Sequence, residues 1–210
     1  MVLREPSETQ LSELRERVRP YLSQERYAHT LSVEGECAYM ASILMPEREG
    51  SLRAAALLHD IAKKLTYEKQ LNYIRDCDIL DMSKRKTRII PAVAHAPAGA
   101  AMVTAHFPEY ADADIVSAVR YHTTGHDGMT VFEAIVFLAD YIEPTRKYAE
   151  CRAVHDYIHE HLCSEKECAL RCALIRCIEN TLEHIEGEPD ADTVETLRYL
   201  QSGRTMPRTL

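Results

Sequence analysis

An all-α fold is what this sequence predicts, on three observations. Apolar residues recur at three- and four-residue spacing almost from end to end, and alternating, strand-like runs are nearly absent. The 7 glycines and 9 prolines fall between the periodic segments as punctuation. Nothing in the 210 residues reads as a linker, a repeat or a low-complexity tract, so one domain is expected over residues 1–210.

Taken in order, the spacing predicts helices over 7–19, 22–45, 51–64, 67–76, 84–91, 97–106, 111–122, 130–142, 148–162, 165–186 and 190–201. The second is the long run "RYAHTLSVEGECAYMASIL". The third, "AAALLHDIAKK", has Ser51 as its expected N-cap. Pro97, in "PAVAHAPAGAAM", reads as a first-turn proline. Gly125 and Gly128 bracket a loop, and "FEAIVFLADYIEPTR" is an apolar run. From residue 148 onward no group of chemistry-bearing residues stands out. Residues 156–210 are therefore expected to form a helical cover over a core of about 22–155, with a frayed tail "SGRTMPRTL".

Composition removes several classes of function. Hydrophobic residues at 46% and charged residues at 28% describe an ordinary globular chain. No apolar run approaches the roughly 20 residues of a membrane helix, and "MVLREPSETQ" lacks the apolar core of a signal peptide. A cytoplasmic protein is expected. The net charge of −8, with no basic run, argues against nucleic acid. A small anion can still bind where a metal supplies local positive charge. Of the 7 cysteines only Cys168, Cys172 and Cys177 cluster, no C-x-x-C pair occurs, and buried or half-buried structural thiols are expected.

His59 and Asp60 raise a sharper question, because both stand inside an apolar helical run. Helix neighbours point about 100° apart, so both can reach one ion beside the helix. A buried carboxylate costs several kcal/mol unless it is paired or coordinated, and a metal is the simplest compensation. Among the 10 histidines, His29, His95 and His122 also sit in apolar or turn-forming surroundings, as does Asp140. Imidazole mixed with carboxylate suits iron or manganese. Singly, His29 or His95 also reads as a hydrogen-bonded core histidine, and Asp140 as half of a salt bridge to an arginine. His106, His126, His155, His159, His161 and His184 read as surface or loop residues.

The order His29, His59-Asp60, Asp140 resembles the H…HD…D signature of the HD superfamily of metal-dependent phosphohydrolases, an all-α fold. The flanks "LLHDIAK", "HAPAGA", "YHTTG" and "LADYIEPTR", from about residue 22 to 155, are similar to the YqeK family of symmetrical diadenosine tetraphosphate hydrolases. That resemblance implies a metal held by His29, His59, Asp60 and Asp140, iron by preference with manganese as a substitute. It implies a dinucleotide substrate and ADP as product, and it allows a homodimer. One departure is that His122 is followed by Thr123, not by a second histidine, which puts a tightly held second metal in doubt.

Under the same resemblance Asp60, Lys63 and His95 are the expected catalytic residues. Arg26, Lys63, His95, His122, Thr123 and Arg146 are expected to bind substrate. Lys63 falls one helical turn from His59, and Arg26 precedes His29 by three residues. Pro144 is expected to turn the chain so that Arg146 comes back over the site, where a guanidinium can grip phosphate bidentately. Alternatives are another HD-type nucleotide phosphohydrolase, such as a nucleoside monophosphate phosphatase, and a non-catalytic nucleotide-sensing module. The latter tends to lose ligands, and this chain keeps all four.

Overall fold

The structure, a computed structural model, describes residues 5–77 and 89–210. Among the described residues it is all-α, with no strand. The helices are α1 (Glu8–Val18), α2 (Gln24–Leu44), α3 (Glu49–Leu58), α4 (Tyr67–Asp76) and α5 (His95–His106), then α6 (Ala113–Tyr121), α7 (Val131–Ile142), α8 (Ala149–Glu165), α9 (Glu167–His184) and α10 (Ala191–Gln201).

Helix α7 is the hub. Thr130 and Glu133 close a capping box at its start, and its residues from Val131 to Ala139 are all buried. Around it pack α2, α3, α6, α8 and α9. A helix apolar on every side belongs in the middle of a bundle. Helix α5 is buried from His95 to Val103 and is built largely of alanine. A Cβ on Gly99 would lie 3.2 Å from Val119 Cγ1 and 3.4 Å from the His59 carbonyl oxygen. Glycine there lets α5 seat closely against the end of α3.

Four details differ from the sequence expectation. Helix α3 ends at Leu58, and residues 59–64 continue as turns in which Ile61 N–H donates to Leu58 O and Lys63 N–H to Asp60 O. Turns of this i→i+3 kind nearly preserve helical spacing, so the pattern reads through them. Ser51 is not the N-cap, since α3 begins at Glu49; the Ser51 N–H and hydroxyl both donate to Glu5, at 2.8 and 2.7 Å. Residues 84–88 of the expected fifth helix lie outside the described residues, and 89–91 are not helical. The tail is tied down, not frayed: Val131 N–H donates to Pro207 O at 2.7 Å, and Met206 is buried. Leu210 N–H donates to Asp114 at 2.9 Å.

All cysteines among the described residues are free, and Cys37, Cys151 and Cys177 are buried. Cys168 is exposed and Cys172 half-buried, so of the expected thiol cluster only Cys177 is a core residue.

Candidate metal centre

Four helix ends and one mid-helix residue converge on a single buried point. Helix α2 brings His29, the turn after α3 brings His59 and Asp60, α5 starts with His95, α6 ends at His122, and the last turn of α7 brings Asp140. His29, His59, Asp60, His95 and His122 are each at most 7% exposed.

The histidines are held by their outer nitrogens. His59 Nδ1 lies 2.6 Å from the Ala56 carbonyl, His122 Nδ1 2.8 Å from the Val119 carbonyl, and His29 Nδ1 3.1 Å from Glu143 Oε1. Each acceptor assigns the proton to Nδ1, which leaves the Nε2 lone pair facing inward. Nε2 of His29 and of His59 make no hydrogen bond although both are buried. His29 Nε2 is 3.0 Å from Asp140 Oδ1, and although burial lowers the imidazole, Asp140 and Glu143 raise it.

The donor atoms are spaced for a shared ion. His59 Nε2 is 3.6 Å from Asp60 Oδ2 and 3.9 Å from Asp140 Oδ1, and His29 Nε2 is 4.0 Å from Asp60 Oδ2. Metal–ligand bonds near 2.1 Å place neighbouring donors about 3 Å apart and opposite ones about 4 Å apart. Two orphaned buried nitrogens, two carboxylates and this spacing fit a divalent metal. His29, His59 and Asp140 form one such group, and His59, Asp60 and His122 form another that shares His59.

Asp60 joins the two sides. Its Oδ1 faces His95 Nε2 at 3.3 Å and His122 Nε2 at 3.8 Å, while its Oδ2 accepts from Arg26 Nη1 at 3.1 Å. Burial alone would raise this carboxyl, but the histidines around it, His59 first, hold it at about 2. Burial likewise works against ionised Asp140, yet His29, His59 and Arg146 keep it far below the usual carboxylate range. Both carboxylates are therefore ready as anionic ligands.

A cationic rim surrounds this core. Lys63 Nζ lies 3.0 Å from His95 Nε2, and burial pushes the lysine downward. Lys63 reaches this position from the turn after α3, not from a continuing helix as its spacing suggested. After Pro144 the chain turns, and Arg146 Nη2 donates to the Asp140 carbonyl at 2.7 Å and to Oδ1 at 2.8 Å. The expected Asp140–arginine salt bridge is thus present in a residue that also belongs to a metal-capable group. Thr123 lines a cavity of about 510 Å³ that also touches His122, Asp140 and Arg146, and its Oγ1 is buried without a hydrogen-bond partner.

Glu143 was not singled out by sequence reasoning. It is 1% exposed, receives the Thr145 N–H at 2.8 Å and hydroxyl at 2.7 Å, and orients His29. Its signal was a carboxylate ending an apolar helix immediately before a proline. His126, read as a bystander in the loop, bonds Glu133 at 3.0 Å and so supports the α7 cap.

An all-α bundle whose buried centre is a ring of imidazoles and carboxylates, rimmed by lysine and arginine, defines a class of metal-centred hydrolases. This chain belongs to the HD domain family, whose profile matches residues 26–145. It is similar to the symmetrical bis(5'-nucleosyl)-tetraphosphatase of Bacillus subtilis (strain 168), at 32% identity over 89% of this chain and 95% of that one. The protein of the same name from Halalkalibacterium halodurans is 31% identical over 87% of this chain and 92% of its own. Among solved structures, an HD superfamily hydrolase from Clostridium acetobutylicum, described as involved in NAD metabolism, superposes with a TM-score of 0.72. That pair is 25% identical, covering 92% of this chain and 97% of the other. Among the described residues, no helix is long and apolar enough to cross a membrane.

Proposed function

We propose that this chain is a metal-dependent hydrolase that cleaves diadenosine tetraphosphate symmetrically into two molecules of ADP. The observation that carries it is the pair of metal-capable groups that share His59, one with His29 and Asp140 and one with Asp60 and His122, beside the cavity lined by His122, Thr123, Asp140 and Arg146. Its relatives carry that activity in their name over nearly their whole length. Iron is the proposed metal, with manganese able to replace it, and the cytoplasm the proposed location.

When bound, the metal supplies Lewis acidity and an activated water. The chain does the rest. Asp60 Oδ1, between His95 and His122, is placed to orient the attacking water. His95, beside the Lys63 ammonium, stands where the reacting phosphorus would arrive. Lys63, Arg26 and Arg146 offset the charge that builds on phosphate oxygens in the transition state. Thr123, on the cavity wall, is the proposed hydroxyl donor to phosphate. Further out, the cavity is walled by Tyr141 and Tyr148, flat faces on which a base can stack.

The test is a metal-supplemented assay of the purified protein against a nucleotide panel, with products separated chromatographically. ADP as sole product from diadenosine tetraphosphate supports the reading. Turnover of nucleoside monophosphates alone overturns it.

A further inference from the structure

Away from this centre, α8 carries a second pair of imidazoles. His155 and His159 are four residues apart on one helical face, their rings stacked with centroids 4.2 Å apart. Facing them from α2 is Glu36, only 7% exposed. Its two oxygens divide between the rings: His159 Nε2 is 2.9 Å from Oε2, and His155 Nε2 is 3.8 Å from Oε1. Among the described residues these two histidines are the ion-pair partners that Glu36 has. A buried carboxylate needs a compensating partner, and a cation between these side chains would supply one.

The surroundings hold both rings in place. His155 Nδ1 lies 3.1 Å from Asp156 Oδ1, which assigns its proton to Nδ1 and leaves Nε2 for an ion. The ring of Tyr39 lies flat on that of His159, with centroids 4.2 Å apart and planes 3° from parallel. The Tyr39 hydroxyl also donates to the His159 carbonyl, at 3.5 Å. The donor atoms of Glu36, His155 and His159 all lie within 4.8 Å of one another. The histidine side chains are 28% and 33% exposed, so an ion can enter and water can complete its coordination. Two imidazoles four apart on a helix, with one carboxylate, form a zinc-type ligand set.

We infer that Glu36, His155 and His159 form a second divalent-metal site, selective for zinc-class ions, which clamps α8 to α2. Glu36 follows His29 by seven residues, two helical turns or about 10.5 Å along α2, so the two centres are separate. Helix α8 also walls the substrate cavity through Cys151 near its start. The clamp therefore fixes the covering helices to the element that carries a ligand of the first centre.

The experiment loads the first centre with iron or manganese and dialyses the protein against micromolar Zn²⁺, followed by elemental analysis. The wild type is expected to take up one further equivalent of zinc without losing its resident metal. Glu36→Gln, His155→Gln and His159→Gln should each weaken that uptake tenfold or more and keep the resident metal. Crystals soaked in zinc and measured at the zinc absorption edge should show an anomalous peak between the three side chains, which needs no variant to fold. Zinc that only displaces the resident metal, variants that bind as the wild type does, or an anomalous peak confined to the first centre would each overturn the inference.

Discussion

His95 and His122 meet nitrogen to nitrogen, Nε2 to Nε2 at 3.2 Å, inside a buried site. Two charged rings at that distance would repel strongly, and burial lowers both, His122 to about 4. With the His122 Nδ1 proton on the Val119 carbonyl, His122 Nε2 accepts and His95 donates from Nε2. Two neutral rings and a carbonyl form one chain beside Asp60, with Lys63 Nζ against the His95 ring, 3.0 Å from Nε2 and 3.3 Å from Nδ1. His95→Ala and His122→Ala are expected to retain metal at the four proposed ligands yet lose about 10²–10³-fold in kcat/KM, the scale for one preorganised catalytic group. Unchanged kcat/KM in both would remove this chain from the mechanism.

The four proposed ligands make a different expectation. His59→Ala, Asp60→Ala and Asp140→Ala each remove a donor from the group in which His29 Nε2 and His59 Nε2 have no hydrogen bond. Each variant should purify without metal and without activity. Elemental analysis reads this directly, and full metal retention in Asp60→Ala would sink the assignment.

Glu143 acts one step further out. It holds the His29 ring by Nδ1, and loss of such an outer partner lowers metal affinity about 10–100-fold in known sites. Glu143→Ala should weaken metal binding on that scale. Glu143→Gln keeps an acceptor and should restore most of it. Equal affinity in both variants would mean that the bond is incidental.

Arg146 and Lys63 work on phosphate charge. Arg146→Ala and Lys63→Ala are expected to keep the metal and to lose about 2–4 kcal/mol of transition-state stabilisation. A near-normal kcat/KM in either removes that residue from phosphate binding. By contrast, Cys168→Ser should leave turnover intact, because Cys168 is exposed and belongs to no metal-capable group among the described residues.

The His126–Glu133 pair ties stability to pH. Burial works against charge on both, but the pair prevails: His126 is raised above 6.5 and Glu133 lowered below 4.5. A raised histidine stabilises fully below its unfolded value, and the contribution fades as pH climbs through the folded one. A lowered carboxylate stabilises above its unfolded value, and the contribution fades as pH falls through the folded one. The stability gap between wild type and His126→Gln, about 1 kcal/mol for such a bond, should be widest between 4.5 and 6.5 and narrow above 6.5. Urea unfolding at a series of pH values measures it, and a gap that widens in alkali has the wrong sign.

What the sequence revealed and what it hid follow one physical division. Periodicity reports burial of a face, so the helices and the all-α class were legible, as were polar residues in apolar runs such as His59, Asp60 and Asp140. It does not separate an α-turn from the i→i+3 turns after Leu58. Nor does it foresee partners distant in the chain: Glu5 bonding Ser51, the tail bonding α7, or Glu36 meeting His155 and His159. Each of those depends on which helices pack together. Glu143 lay between, visible in its motif but without a role until His29 stood beside it.

The position of the cut is the last consequence of where the charges sit. A four-phosphate chain opens at its middle to give two ADP, or off-centre to give ATP and AMP. The four proposed ligands would fix one place for the reacting phosphorus, since attack requires the water and that atom in register. Lys63 contacts His95 and His95 contacts His122, and the cavity runs from His122 past Asp140 and Arg146 to Tyr148. On the proposed reading a pocket of that layout would hold one ADP half, putting the second phosphorus from its adenosine at the centre while the other ADP leaves. ADP should therefore inhibit competitively. A mixed substrate, adenosine tetraphosphoguanosine, should yield equimolar ADP and GDP on chromatography. ATP with GMP, or GTP with AMP, would refute the symmetrical cut even if every proposed ligand proved correct.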